Sequence, residues 1–238
     1  MKLRALLHTL FSRFLVLCVV VIYIPLLLLV MIMPLSWVRK SGVVYYFVYW
    51  FYWLILKSSL LKITYEGIEN IPDEPLIFVA NHQSSLDIPL VGILAKGEPH
   101  IWLAKQELTE SILLRFILPR LSVLVEPTLP TSAMRSLVSL LKTVDKDHQH
   151  IMIFPEGSRF TDGKVHKFYG GFALLAKKTG RKVIPVHIHD AYKVYPPEVF
   201  LIYNHPIRVV VGKPFELQLD ESDNAFTERV YKWFVTDK

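Results

Sequence analysis

Two short segments carry side chains that can move protons and hold anions. The first is Asn81-His82-Gln83-Ser84-Ser85-Leu86-Asp87, directly after the apolar run Leu76-Ile77-Phe78-Val79-Ala80. Five positions apart on one continuous helix, His82 and Asp87 would diverge by about 140°. With His82 in the turn and Ser84 or Ser85 capping the helix behind it, the chain can fold back and let Asp87 accept from the imidazole. A carboxylate-held imidazole has a fixed tautomer and serves as a general base. Taken alone, such a pair is more often a structural hydrogen bond. The second segment is Phe154-Pro155-Glu156-Gly157-Ser158-Arg159. Pro155 and Gly157 demand a tight turn, Gly157 and Ser158 offer backbone N–H groups, and Arg159 offers a planar fork suited to phosphate. Glu156 is a carboxylate beside strand residues, placed to orient a substrate hydroxyl or the arginine. On its own this is an ordinary Pro-Glu-Gly turn.

Both segments follow short β-branched runs, so both are expected at strand ends, where α/β folds gather their sites. Strands are expected at 61–65, 76–80, 151–154, 183–188 and 207–211. Helical patterns occupy 84–94, 108–118, 134–144 and 172–178. A last helix places Phe226, Val230 and Trp233 on one face behind Asp223-Asn224. Strands alternating with helices predict an α/β domain over 58–238, a mixed central sheet flanked by helices. Residues 1–57 are expected to form a separate membrane-embedded pair of helices.

That division follows from composition. Of the 238 residues 52% are hydrophobic and 13% aromatic, which excludes disordered and low-complexity classes. A single cysteine, Cys18, excludes an internal disulfide and a cysteine-rich zinc site. The net charge of +6 favours anionic partners without choosing among them. Mean hydropathy is +0.35, and the apolar residues cluster. Residues 14–38 carry no charge and would reach roughly 37 Å as a helix, against about 30 Å of bilayer hydrocarbon. The apolar core is too long for a signal peptide and no small-residue cleavage site follows, so the segment is read as retained. Residues 43–56 are rich in Tyr and Trp, as membrane interfaces are, but cover only about 21 Å. The pair is either one spanning helix with an interfacial one or a hairpin dipping into one leaflet, and the hairpin is preferred. Basic residues flank both runs, so charge does not set the orientation.

Taken together, Asn-His-x4-Asp and Phe-Pro-Glu-Gly-Ser-Arg, in that order, resemble the glycerolipid acyltransferase family of the 1-acylglycerol-3-phosphate O-acyltransferase type. Lys167-Phe168 with Gly171 and Ala176, then Val183-Ile184-Pro185-Val186, extend the resemblance from about residue 76 to 188. The resemblance implies that His82 deprotonates the free glycerol hydroxyl of a lysophospholipid, supported by Asp87. It implies acyl-CoA or acyl-acyl-carrier protein as co-substrate, with no cofactor, metal or nucleic acid. Acceptor binding would fall to Asn81, Glu156, Gly157, Ser158 and Arg159, with Lys105, Arg120 and Lys167 as further cations, and Gly157 and Ser158 near the oxyanion. The implied reaction is 1-acyl-sn-glycerol-3-phosphate to phosphatidate, on the cytoplasmic face of a bacterial inner membrane.

One stretch departs from the family pattern. Where an apolar strand usually ends in a phosphate-binding Arg, this chain reads Arg120-Leu121-Ser122-Val123-Leu124-Val125-Glu126-Pro127. With Glu126-Pro127-Thr128-Leu129-Pro130 and Lys167-Phe168-Tyr169-Gly170-Gly171, it is similar to bacterial 2-acylglycerophosphoethanolamine acyltransferase domains, which makes lysophosphatidylethanolamine the alternative acceptor. Arg120, Arg135, Lys105 or Lys164 can replace the missing charge, which keeps lysophosphatidate first. A lipid hydrolase that uses the same pair on water is a rival, as is a catalytically silent lipid-binding protein. His187 and His189 share a strand face without a third ligand and read as structural. Residues 145–150 read as a solvated loop.

Overall fold

A computed structural model describes residues 2–110, 112–125, 137–142, 144, 149–197 and 199–236. Helix α1 (Lys2–Ile32) takes in the basic leader and most of the first apolar run, with Pro25 inside it. Pro34 ends it, and α2 (Leu35–Lys40) and α3 (Gly42–Ser58) follow. Ser41 caps α3 by accepting from the Val44 N–H at 3.4 Å.

The remaining strands are β1 (Ile63–Glu66), β2 (Ile77–Ala80), β3 (His100–Lys105), β4 (Ser122–Val125), β5 (His150–Ile153), β6 (Val183–His189) and β7 (Ile207–Val211). The helices are α4 (Asp87–Gly92), α5 (Ile112–Leu121), α6 (Gly171–Thr179), α7 (Ala191–Val194) and α8 (Asp223–Thr236). Residues 137–142 are also helical. The seven strands run in the order β1-β7-β6-β2-β5-β3-β4. Every pairing is parallel except β6 with β7, so the sheet is mixed, as expected.

Alternation along β2 builds two cores. Phe78 and Ala80 face Leu90, Val91 and Leu94 of α4 and its extension, together with Leu56 of α3. Ile77 and Val79 face Phe172 and Leu175 of α6 and Phe226, Val230 and Phe234 of α8. A strand with both faces covered needs an unbroken apolar run, which is why β2 reads as one.

The five expected strands form with ends moved by a residue or two. Strands β3 and β4 were not expected. His100 and Lys105 bracket β3 with polar ends, and only four apolar residues lie between them. Helix α4 begins at Asp87, later than expected, with Leu86 rather than a serine at its N-cap. The reason is that Asp87 itself collects the amides of the turn, as described below. The expected helix at 134–144 is described only over 137–142 and at residue 144. Arg135, the 126–130 segment and most of the expected 145–150 loop lie outside the described residues.

Helix α1 is the one helix among the described residues that is long and apolar enough to cross a membrane. It presents Leu7, Phe11, Phe14, Ile22, Leu28 and Ile32 to the outside. Yet it is tied to the sheet domain near both ends. Thr9 Oγ1 accepts from the Ile202 N–H at 2.8 Å, and Arg13 donates to the Phe200 carbonyl at 2.9 Å. At the other end Arg120 donates to the carbonyls of Met33, at 2.7 Å, and Met31. Thr9 and Met31 lie about 33 Å apart along the helix axis. The helix therefore lies along the domain rather than projecting from it.

Helix α3 packs between α1 and α4. Gly92 of α4 makes room for Tyr52 of α3, since a Cβ at Gly92 would sit 2.3 Å from the tyrosine ring. Gly92→Ala is therefore expected to overpack this contact and destabilise the chain by about 1–3 kcal/mol, read from thermal unfolding in detergent.

Candidate active site

Strands β2 and β5 are adjacent, parallel and in register, with Val79 opposite Ile153. Their carboxyl ends therefore open side by side, and the turn after each strand faces the other. That pairing brings residues 82 and 156 together. The His82 N–H donates to Glu156 Oε1 at 2.8 Å, and the Phe160 N–H donates to the His82 carbonyl at 2.9 Å.

His82 and Asp87 meet as the spacing suggests. The imidazole Nδ1 lies 2.8 Å from Asp87 Oδ2. Asp87 is fully buried, and the same oxygen accepts the N–H groups of Gln83 at 2.6 Å and Ser84 at 2.7 Å. Three donors converge on one carboxylate oxygen, which ties the imidazole Nδ1 to the turn that carries it. A carboxylate only accepts, so Nδ1 carries the proton and Nε2 presents its lone pair. Arg159 donates Nε–H to that lone pair at 3.2 Å. The imidazole also lies flat on the Phe154 ring, with centroids 4.0 Å apart and planes 7° apart. This is a neutral base with a defined tautomer, aimed at a cation from the neighbouring turn.

Glu156, expected on the substrate, is instead engaged by the protein's own backbone. Its Oε1 takes the His82 amide and its Oε2 takes the His166 amide at 2.7 Å. Burial pushes its carboxyl up to about 7, against the downward pull of the two amides. It is a brace between the two turns. The Gly157 N–H closes its turn on the Phe154 carbonyl at 3.1 Å, which removes it from the oxyanion donors. Gly157 adopts φ +67°, and a Cβ there would stand 3.1 Å from the Tyr169 ring.

A cavity of about 460 Å³ lies beside this turn. Leu103, Val125, Leu137, Ile153 and Phe172 give it apolar walls, and Lys105, Glu156 and Ser158 supply polar groups. Its size is in the range of small-molecule sites. Lys105 Nζ reaches Ser158 Oγ at 3.2 Å, so two cations, Lys105 and Arg159, serve one turn.

Two expected substrate residues have other partners, and a third lies at another cleft. Asn81 is buried, and its side-chain amide is spent on both backbone groups of Ile188, at 2.9 and 2.7 Å, tying the end of β2 to β6. Arg120 is turned toward the end of α1, because the Met31 and Met33 carbonyls at that terminus need donors. Lys167 lines a separate cleft against α8, with Asn224 and Glu228. Pro127 lies outside the described residues. The His187 and His189 rings lie with centroids 3.9 Å apart and planes tilted by 36°, and no group of three or more His, Cys, Asp or Glu able to hold a metal occurs among the described residues.

Sequence reasoning missed Trp102, whose ring lies 5.3 Å from that of Phe154. It also missed the His166 amide and Tyr195, whose carbonyl accepts from Ser84 Oγ at 2.7 Å. Backbone partners leave no mark on side-chain type. Trp102 carried one signal, a large aromatic inside an unrecognised strand.

Fold and site together define a class: an α/β domain that presents a carboxylate-held imidazole and an arginine at adjacent strand ends. The family model described as Acyltransferase matches residues 62–189, which contain every one of these groups. The chain belongs to the acyltransferase family. It is 31% identical over 182 residues to 1-acyl-sn-glycerol-3-phosphate acyltransferase BAT2, chloroplastic, of Brassica napus, covering 70% of this chain and 50% of that protein. Identity to the 1-acyl-sn-glycerol-3-phosphate acyltransferase of Pseudomonas aeruginosa is 29% over 162 residues, covering 67% of this chain and 62% of that protein. The chain thus spans about half the length of the plant relative. The crystal structure of the 1-acyl-sn-glycerophosphate (LPA) acyltransferase PlsC from Thermotoga maritima matches with a TM-score of 0.77 at 27% identity, covering 99% of this chain and 96% of that one.

The raised Glu156 carboxyl has a consequence for stability. The folded chain holds this proton more tightly than the unfolded chain, whose carboxyl stays near 4.5. The group's contribution is complete below about 4.5 and is lost as pH rises through about 7. Across that window stability is expected to fall by on the order of 3 kcal/mol at most. Glu156→Gln, uncharged throughout, should flatten that part of a plot of thermal stability against pH.

Proposed function

We propose that this chain transfers a fatty acyl group from an acyl thioester to the free glycerol hydroxyl of a lysophospholipid, with 1-acyl-sn-glycerol-3-phosphate as acceptor and phosphatidate as product. The observation that carries the reading is the His82 imidazole, with Nδ1 bound to buried Asp87 and Nε2 facing Arg159. The names of the relatives support the acceptor, and so do the two cations at one turn, because a phosphate monoester carries nearly two negative charges.

In the resting chain Arg159 occupies the lone pair of the base. The acceptor phosphate is the stronger partner for a guanidinium and draws it away. Binding of the headgroup thus frees Nε2. The imidazole then takes the glycerol hydroxyl proton while that oxygen attacks the thioester carbonyl. The tetrahedral intermediate collapses, the C–S bond breaks, and the imidazolium returns the proton to the departing thiolate. Asp87 keeps the imidazolium stabilised and oriented throughout. The apolar cavity beside Ser158 suits an acyl chain. The donor is acyl-CoA or acyl-acyl-carrier protein.

The site works at a membrane on this reading. A helix tied to one domain at points about 33 Å apart cannot also place its ends on opposite sides of about 30 Å of hydrocarbon. The exposed face of α1 therefore supports embedding in one leaflet, and the leaflet proposed is the inner one of a bacterial cytoplasmic membrane.

Acyl transfer to lysophosphatidate is the direct test. His82→Ala is expected to lower kcat by about 10²–10⁴, and Asp87→Asn by a similar factor, with the fold intact. Undiminished transfer by His82→Ala rejects the mechanism. Arg159→Lys keeps the charge but loses the fork, and is expected to raise the acceptor KM by about tenfold or more. Turnover of lysophosphatidylethanolamine in place of lysophosphatidate overturns the acceptor, and release of free fatty acid overturns transfer in favour of hydrolysis.

A further inference from the structure

We infer that Tyr52 and Trp102 are positioning residues, the outer members of a row of packed groups that ends on the His82 imidazole. The inference rests on the role proposed for His82.

The row begins on α3. Burial pushes the His100 imidazole down to about 4, so it is neutral. Its Nδ1 donates to the Glu98 carbonyl at 3.0 Å, which leaves Nε2 to accept from the Tyr52 hydroxyl at 3.3 Å. The same hydroxyl accepts from Trp102 Nε1 at 3.2 Å. The Tyr52 oxygen is thus used once as donor and once as acceptor, and the indole has one orientation. The indole stacks on Phe154 with planes 24° apart, and Phe154 stacks on His82.

The stack does what the carboxylate cannot. A single bond from Nδ1 to Asp87 leaves the ring free to rock about that bond, and rocking swings Nε2, the atom that must meet the hydroxyl. A flat ring 4.0 Å beneath the imidazole blocks that motion. Phe154 blocks it only while it is itself held in place, and Trp102, stacked on it with centroids 5.3 Å apart, holds it. Tyr52 also lies flush on Gly92 of α4, the helix that begins at Asp87. One tyrosine therefore abuts the stack under the base and the helix that carries the acid.

A second tie from the helical pair ends at the same turn. Arg13 of α1 donates to the Tyr195 hydroxyl at 3.4 Å, and the Tyr195 carbonyl accepts from Ser84, whose N–H holds Asp87. Both long N-terminal helices thus reach the catalytic pair by different routes.

The test uses the full chain in lipid-detergent micelles with Tyr52→Phe, Trp102→Leu and Trp102→Phe. The expected result is a fall in kcat of about fivefold for Tyr52→Phe and about 10–100-fold for Trp102→Leu, with both KM values within about twofold. Trp102→Phe keeps a ring on Phe154 and should recover most of what Trp102→Leu loses. An independent readout needs no turnover: the rate at which diethyl pyrocarbonate modifies His82, followed by peptide mass spectrometry. Trp102→Leu should raise that rate and Trp102→Phe should not. Wild-type kcat in Tyr52→Phe and Trp102→Leu, a loss confined to KM, or equal losses in both Trp102 variants would each overturn the inference. If Trp102→Leu does not fold, Tyr52→Phe, which removes one oxygen atom, decides on the same two readouts. An inactive wild-type chain refutes the proposed function, and the modification rates still decide the positioning role.

Discussion

The pairing of β2 with β5, parallel and in register at the middle of the sheet, is the constraint from which the site follows. Neither turn has meaning alone. The first holds an imidazole and a carboxylate, the second an arginine and a buried glutamate. Because the strands point the same way, both turns leave the sheet at the same end, and 74 positions of sequence collapse to a 2.8 Å hydrogen bond between His82 and Glu156. An antiparallel pairing would put the two turns at opposite ends. Asn81, which clamps the end of β2 onto β6, holds the same opening from the other side.

The site divides its labour between groups that can react and groups that hold them. Asp87 uses one oxygen for three donors and so sets the turn and the tautomer together. Glu156 uses both oxygens on backbone amides, at the cost of a carboxyl that burial makes hard to ionise. Arg159 is the exception, a cation bonded only weakly to a neutral ring and therefore free to exchange that partner for an anion.

The two motifs were legible because they are short contiguous segments that follow apolar strands. The meeting of His82 with Asp87 could be anticipated from their spacing, the grouping of His82, Asp87 and Arg159 into one site came from the family resemblance, and the two apolar helices from composition. What was hidden was hidden for physical reasons. Arg120 looked like a phosphate ligand because a basic residue near a strand advertises charge and not direction, and in the structure it donates to carbonyls at the end of α1. Asn81 and Glu156 looked like substrate groups because backbone partners leave no trace in a sequence. Strand β3 escaped because polar residues at both ends shortened its apolar run. Trp102 escaped with it, although its indole stacks on Phe154.

The docking of α1 along the domain has a last consequence. A hull fastened at bow and stern sets its own waterline. On the reading proposed above, the depth of the catalytic opening is then a property of the protein and not of bilayer thickness. Substrate and product would enter and leave sideways, by two-dimensional diffusion within one monolayer, and the lipid tail would never have to cross open water.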